Sequence, residues 1–436
     1  MRQELVLLEG YVCYGVETIM KGEVGAIIYL AGRPIICLRR FHRMKSKSII
    51  LLGVVLFLFI LAPIFTAPSA AQDLRTAVTQ NDSRRVQSLL TAGADANERD
   101  DSGLTILMLA ARFTKDPKII RMLIDAGADL NARDRSGWTA IMLAARFNQN
   151  TEVAKALIKA GADVNLKDAG GRTPLMHAAR DTKSPEVIRA LLAAKANVDA
   201  RDPDGWTALM YGAMNNDNPE IIKALLAGGA NVNARDEDGW APIMYSASLN
   251  KNHLVTKALI AGGAMIDARC DDGVTPLMRA ARGNENPQVV RELLARGANA
   301  DARDPDGWTP LMFAAAHSNN PEVIDFLIAG GASVGSRDSD GWTPLMFAGW
   351  RNSNPGIFAA LIKGGADVNA RDADGWTPLI FAAAFTDNPN VIKTLLEMGA
   401  DGTIRTPFGK TAFDFAKENF DIRDSEAYWL LNDARF

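Results

Sequence analysis

The chain has 436 residues and a formal net charge of −3, with 48% hydrophobic and 23% charged residues. This composition supplies enough apolar surface for a packed core and excludes a disordered chain. Three cysteines, Cys13, Cys37 and Cys270, cannot form a disulfide framework, and the near-neutral charge gives no general reason to expect nucleic-acid binding.

A basic segment followed by a long apolar run stands near the N-terminus. Residues 1–71 carry eight Lys or Arg against four Asp or Glu, and residues 49–65 read IILLGVVLFLFILAPIF. Read from Met44, a basic start, this apolar run and a small-residue stretch follow one another in the order of a secretory signal peptide. The sequence therefore predicts cleavage between Ala71 and Gln72 and export across the inner membrane, to the periplasm or out of the cell.

The place of this signal within the chain divides the N-terminal region. A signal peptide begins at an N-terminus, so we interpret residues 44–71 as the signal and residues 1–43 as a segment encoded upstream of the true start. The basic start and the uncharged apolar run are typical of a bacterial secretory route. An alternative is an uncleaved signal anchor, in which residues 49–65 stay in the membrane at the short limit for a span.

A fixed 34-residue period organises the chain after residue 72. A period of about 20 to 50 residues is typical of solenoids, in which each repeat packs on its neighbours. The sequence therefore predicts one quasi-linear array rather than separate globular domains. The period is marked by Gly103, Gly137, Gly171, Gly205, Gly239, Gly273, Gly307, Gly341, Gly375 and Gly409.

The unit is clearest at residues 304–337, DPDGWTPLMFAAAHSNNPEVIDFLIAGGASVGSR. DPDG predicts a turn, and TP places a threonine cap and a proline at the first position of a helix. NPE repeats this signal for a second helix with one apolar face, which ends at Gly331 in the left-handed conformation. Lys195 is the only departure among ten copies of that glycine, so we expect a local cost of about 1 kcal/mol there.

The stretch DGWTPLMFAA, the paired helices and GADVNARD at Gly365 to Asp372 resemble the ankyrin repeat family. The resemblance implies an all-α solenoid of stacked helix-turn-helix units with β-hairpin-like loops. We expect an N-terminal capping unit at residues 72–102, nine full repeats at 103–408 and a C-terminal capping unit at 409–436. Two features depart from the family pattern: the period is 34 rather than 33, and methionine replaces the usual histidine in eight of ten units. We expect this exchange to remove an imidazole hydrogen bond.

Motifs for catalysis, cofactor binding or metal binding are absent from the sequence. The repeats hold His177, His253 and His317 in separate units without ligand spacing, which indicates surface or packing residues. DxDG recurs five times, but a calcium loop needs further alternating oxygens and a distal glutamate, so turn formation is favoured. We predict no enzymatic activity, cofactor or metal.

One basic residue per unit, from Arg99 to Arg405, is usually followed by aspartate. Structural pairing is our first explanation of this ladder. The neighbouring carboxylates neutralise most of the positive field, so we predict that the chain does not bind nucleic acid.

Six of the eight tryptophans directly follow the repeat glycine. In the ankyrin family this place is on the concave side, so the row could contact an extended peptide or a glycan. The alternative is that each indole packs on a neighbouring arginine or hairpin and stabilises the array. The six are Trp138, Trp206, Trp240, Trp308, Trp342 and Trp376.

Residue pairs at the end of the first helix vary between units, and we predict that they set binding specificity. We expect an exported, monomeric and non-catalytic scaffold that binds a protein partner through its concave face. The alternative is a membrane-tethered envelope protein whose tryptophans engage an extended peptide or a glycan. Besides the six tryptophans, the predicted partner-binding residues are Arg112, Phe113, Arg146, Phe147, Tyr211, Tyr245, Trp350, Arg351 and Phe385.

Overall fold

The computed structural model describes residues 27–30, 33–37 and 70–434, which belong to two units divided between Ser69 and Ala70. In the first unit, strands β1 (Ile27–Leu30) and β2 (Arg33–Cys37) pair antiparallel, with Ile27 opposite Cys37. The predicted signal at residues 44–71 lies outside the described residues except for its last two, which begin the first helix.

Twenty-two helices make up the described part of the second unit, residues 70–434. The first two are α1 (Ala70–Thr79) and α2 (Ser83–Thr91), and the last two are α21 (Ala412–Ala416) and α22 (Glu426–Asp433). Between them lie nine helix pairs: α3 (Ile106–Phe113) and α4 (Pro117–Asp125), α5 (Ala140–Phe147) and α6 (Thr151–Lys159), α7 (Pro174–Asp181) and α8 (Pro185–Ala193), α9 (Ala208–Asn215) and α10 (Pro219–Ala227), α11 (Pro242–Leu249) and α12 (His253–Ala261), α13 (Pro276–Gly283) and α14 (Gln288–Ala295), α15 (Pro310–His317) and α16 (Pro321–Ala329), α17 (Pro344–Arg351) and α18 (Pro355–Lys363), α19 (Pro378–Phe385) and α20 (Pro389–Glu397).

The helices stack in two layers, and this arrangement confirms the predicted all-α solenoid. First helices pack on the first helices of adjacent units, and second helices pack on second helices. In α16 the apolar face predicted from the sequence is buried, with Val323, Ile324 and Leu327 at most 1% exposed. Buried alanines such as Ala314 and Ala315 let the first helices approach one another closely. None of the described helices is long and apolar enough to cross a membrane.

A threonine begins most first helices, and the methionine three residues later completes the cap. The Oγ1 of Thr309 accepts the N–H of Met312, and the N–H of Thr309 donates to the Met312 Sδ at 3.3 Å. Six units share this reciprocal arrangement. A thioether is a weak acceptor, so methionine keeps a weaker form of the hydrogen bond that the sequence predicted to be lost.

The loop after each second helix turns through a residue with positive φ. Nine glycines there have φ between 85° and 99°, and Lys195 takes the same conformation with φ of 65°. A side chain with a Cβ is strained in this region. The position predicted to be costly therefore does adopt the left-handed conformation.

Two ladders of side chains tie adjacent units together. The Arg303 Nη1 donates to the carbonyl of Arg337, 34 residues later, at 2.6 Å, and to the carbonyl of Gly307 at 2.9 Å. The basic ladder thus bonds to backbone carbonyls rather than to the neighbouring aspartates. A second ladder, which the sequence analysis missed, consists of asparagines whose Nδ2 bonds two carbonyls of the preceding unit: Asn148, Asn216, Asn250, Asn284, Asn352 and Asn419.

Candidate functional site

The six repeat tryptophans are half-buried between side chains of two adjacent units. Trp206 lies 5.1 Å from Tyr211 in its own unit and 4.3 Å from Tyr245 in the next, measured between ring centroids. Most of the six share this pattern, with one partner five residues later and another 39 residues later. The indoles therefore form part of a stack of side chains that runs across repeats.

The turn aspartate of each unit positions the start of this stack. The Asp304 Oδ1 accepts the N–H groups of Asp306 and Trp308 at 3.1 and 2.7 Å, and the N–H of Gly307 donates to its carbonyl. These bonds confirm the predicted turn role of the DxDG sequence. They use only one carboxylate oxygen, so the environment of Oδ2 differs between units.

In three units a polar side chain nine residues later bonds the second carboxylate oxygen. The His177 Nε2 lies 2.8 Å from the Asp168 Oδ2, and the Tyr211 hydroxyl donates to the Asp202 Oδ2 at 2.6 Å. Tyr245 bonds Asp236 in the same way. Burial and the bond to Asp202 raise the pKa of Tyr211 to about 12.

The buried pair of His177 and Asp168 is a packing element rather than a catalytic one. His177 is 1% exposed, and the Trp138 ring lies 4.1 Å from its imidazole. Burial lowers the pKa of His177 against the opposing effect of Asp168. A substrate has no access to this imidazole. Among the described residues, no group of side chains has the composition of a metal site.

In three later units phenylalanine stands where the polar partner would be. Phe313, Phe347 and Phe381 occupy the positions equivalent to Tyr211, so the Oδ2 atoms of Asp304, Asp338 and Asp372 accept no hydrogen bond within the described residues. Burial raises the pKa of these three carboxyls above the ordinary value, although the tryptophan N–H groups act against it. The sequence analysis missed this difference, which the residue nine positions after each aspartate could have signalled.

One unit departs from both patterns. Cys270, a free and buried thiol, replaces the turn aspartate, and Arg279 stands nine residues later. The Arg279 Nη2 lies 3.7 Å from the Cys270 Sγ, and its guanidinium carbon lies 4.2 Å from the Trp240 ring centroid. A cation thus takes the place of the aromatic ring that follows the tryptophan in most units.

The ends of the first helices carry the large exposed apolar side chains of one register. Phe113, Phe147, Leu249 and Phe385 stand at equivalent positions and are 53%, 41%, 51% and 52% exposed. Side chains that are separated by 34 residues lie on stacked helices, so these residues line one face of the array. Leu249 was not among the residues predicted to bind a partner.

Arginines and aromatic rings alternate at the N-terminal end of this face. The Arg112 guanidinium carbon lies 4.9 Å from the Phe113 ring centroid and 4.6 Å from that of Phe147. Arg146 lies 4.8 Å from Phe147 and pairs with Asp181 at 2.7 Å. The structure therefore brings four of the predicted binding residues into one cluster.

Two other predicted binding residues offer little surface. Tyr211 and Tyr245 are each 7% exposed, because their rings lie against tryptophans and their hydroxyls bond aspartates. They fix the orientation of the tryptophan stack rather than present contact area.

A cavity of about 320 Å³ lies between the last two complete units. It is called the aromatic pocket below, and it combines five aromatic rings with two carboxylates. It contains four of the predicted tryptophans and phenylalanines and adds three residues that the sequence analysis did not single out. Its lining residues are Trp342, Trp350, Asp372, Asp374, Trp376, Phe381 and Phe385.

Comparison with known families matches the described array. The family model for ankyrin repeats (three copies) matches six overlapping stretches: residues 74–168, 148–236, 211–304, 279–372, 311–406 and 350–431. Among curated proteins, none matches this chain.

Proposed function

We propose that this chain, which belongs to the ankyrin repeat family, is a non-catalytic scaffold that binds a partner protein through the exposed ends of its first helices. Ankyrin repeats generally mediate protein–protein interaction. The same face is the one that the sequence resemblance assigns to the concave side. It contains the predicted residues Phe113, Phe147 and Phe385 and, in addition, Leu249.

The single observation that carries this proposal is the exposure of large apolar side chains at one register position. The neighbouring positions of the first helices are buried and nearly constant, as with Ala110 and Ala111 in α3. Exposed apolar residues that line one face favour a protein partner, because their burial against a complementary surface is the main source of binding energy. The constant residues build the solenoid, and the variable ones remain for recognition.

Site-specific photocrosslinking in living cells tests this face. A photoreactive phenylalanine analogue at Phe113, Phe147 or Phe385 should give the same crosslinked partner, identified by mass spectrometry. The matched control is Leu254, an apolar residue of a second helix that is 41% exposed. Equal crosslinking of one protein from Leu254 and from the three test positions would overturn the assignment of the face.

Packing, rather than ligand binding, is the role that we assign to most of the tryptophan ladder. Trp206 and Trp308 each have aromatic partners in two units, at 4.1 to 5.2 Å. A glycan or an extended peptide needs an open indole face. Alanine at Trp206 should therefore lower the melting temperature, whereas unchanged stability with lost partner capture would favour the ligand-binding alternative.

We also propose export by a bacterial secretory route, which rests on the sequence of residues 44–71 alone. Mass spectrometry of the mature protein should find Gln72 at its N-terminus and no peptide from residues 1–43. In the alternative, residues 49–65 stay in the membrane and tether the array. Repeats that remain with the membrane fraction after a high-salt wash would support the tether and contradict cleavage.

A further inference from the structure

We propose that the aromatic pocket binds a cationic side chain, a lysine or an arginine, of the partner. This inference rests on the proposed function, because it assigns the pocket to the same partner. It is argued from the walls of the cavity, from the open carboxylate in it and from the absence of the same arrangement in the preceding unit.

The walls present aromatic rings from two adjacent units. Trp342 and Trp350 meet edge to face with centroids 5.4 Å apart, and Trp376 stacks on Phe385 at 6.2 Å. The face of an indole attracts a cation through its quadrupole more strongly than other aromatic side chains do. Trp350 already shows this property, because the guanidinium carbon of Arg351, which does not line the cavity, lies 3.9 Å from its ring centroid.

The pocket also holds negative charge that no side chain of the described residues neutralises by an ion pair. The Asp372 Oδ1 accepts the N–H groups of Trp376 and Asp374 at 2.7 and 3.1 Å, and its Oδ2 accepts no hydrogen bond, since Phe381 replaces the tyrosine of earlier units. Asp374 is exposed at the same cavity. A cation that enters between the rings gains two carboxylates and an aromatic surface, whereas an anion is repelled and a neutral group leaves the carboxylate unpaired.

The arrangement is confined to one place in the array. Trp350 stands where the other units have Arg, Met, Ser or Ala, and the equivalent residue of the preceding unit is Ala316. That unit also has Arg351 at the position of Phe385, so it lacks two of the walls. Gly349 precedes Trp350, and a Cβ there would lie 2.8 Å from the Pro378 carbonyl oxygen. The absence of a side chain at Gly349 therefore lets α17 approach α19, next to the cavity.

Small probes of matched shape test the charge preference on the full-length protein. We expect Nα-acetyl-lysine amide and Nα-acetyl-arginine amide to quench tryptophan fluorescence with at least tenfold lower dissociation constants than their neutral counterparts, Nα,Nε-diacetyl-lysine amide and Nα-acetyl-citrulline amide. Equal affinity for the charged and neutral probes would overturn the proposal.

Variants assign the binding to the pocket. Trp350→Ala installs the residue of other units, and Asp374→Asn changes an exposed carboxylate, so both should fold. Each should weaken the binding of the charged probes at least fivefold, with an unchanged melting temperature as the check on folding. The control Asp204→Asn alters the equivalent residue of the unit in which Tyr211 already bonds Asp202, and it should change nothing.

The outcomes separate this inference from the proposed function. Charged probes that bind equally to the wild type and to Trp350→Ala, or a loss as large in Asp204→Asn, would overturn the pocket assignment while photocrosslinking at Phe113 still stands. Conversely, intact probe binding with no partner crosslinked from the first helices would leave the pocket and overturn the scaffold function.

Discussion

Replacing Asn250 by alanine should lower the free energy of unfolding by about 3 kcal/mol, because this side chain joins two repeats at a buried site. Asn250 is 1% exposed. Its Nδ2 donates to the carbonyls of Ala213 and Asn216, both at 3.0 Å, and its Oδ1 accepts the N–H of Asn252 at 2.8 Å. The substitution removes all three hydrogen bonds.

The magnitude follows from the groups that are left behind. Neither the Ala213 nor the Asn216 carbonyl accepts another backbone hydrogen bond within the described residues. A hydrogen bond contributes about 1 kcal/mol, and a buried polar group without a partner costs about 1 to 3 kcal/mol. Two unsatisfied carbonyls therefore account for about 2 kcal/mol, and the lost bond to the Asn252 N–H for about 1 kcal/mol.

Other units of the same chain supply a matched control. Thr182 stands at the equivalent position, and its Oγ1 accepts the N–H of Ser184 at 3.2 Å without a bond to the preceding unit. Asn250→Thr should keep the local bond and lose only the two bonds between repeats. Its expected cost is about 2 kcal/mol, which is about 1 kcal/mol less than that of alanine.

Denaturant unfolding followed by circular dichroism measures both variants. Because repeat arrays can lose cooperativity, the midpoint and the slope are compared together. A threonine variant as stable as the wild type would refute the reasoning about the bonds between repeats. An alanine variant no less stable than the threonine variant would refute the part assigned to the local bond.

Three further predictions concern other parts of the array. Lys195→Gly should stabilise the protein by about 1 kcal/mol in denaturant unfolding, because Lys195 has a positive φ, whereas Lys195→Ala, which keeps a Cβ, should give no such gain. Burial lowers the pKa of His177 in the folded state, so below pH about 6.5 the unfolded chain binds a proton that the folded chain does not, and stability should fall with pH; His177→Tyr, which copies other units, should remove this acid dependence, and an unchanged dependence would contradict the assignment. Trp240→Ala should cost about 3 kcal/mol, since the indole packs between Tyr245 and Arg279; a melting temperature equal to that of the wild type would show that the indole does not stabilise the stack.

Sequence reasoning recovered the local structure because its signals are local. The threonine and proline at the start of the first helices, the Asp-Gly turns and the apolar face of the second helices each act within about ten residues. Their exact repetition at 34 residues then defines the stack. Lys195 illustrates this point, since its positive φ was expected from the glycines at the equivalent positions.

Contacts across repeats were harder to predict, because they join residues far apart in sequence. The basic ladder was expected to pair with neighbouring aspartates, but Arg303 reaches the carbonyl of Arg337 instead. The asparagine ladder was missed because Asn250 looks like an ordinary turn residue until the carbonyls of Ala213 and Asn216 are brought beside it.

The sequence by itself determined the family, the helix pairs and the residues that vary at the ends of the first helices, since capping, turn formation and periodicity are properties of neighbouring residues. Tertiary structure alone decided which side of each side chain faces a partner. Tyr211 became a buried support for Trp206, and Asp372 became an open carboxylate beside Trp350. The physical reason is that burial and charge depend on which residues of adjacent repeats meet, and that meeting is a product of stacking rather than of the chain's local order.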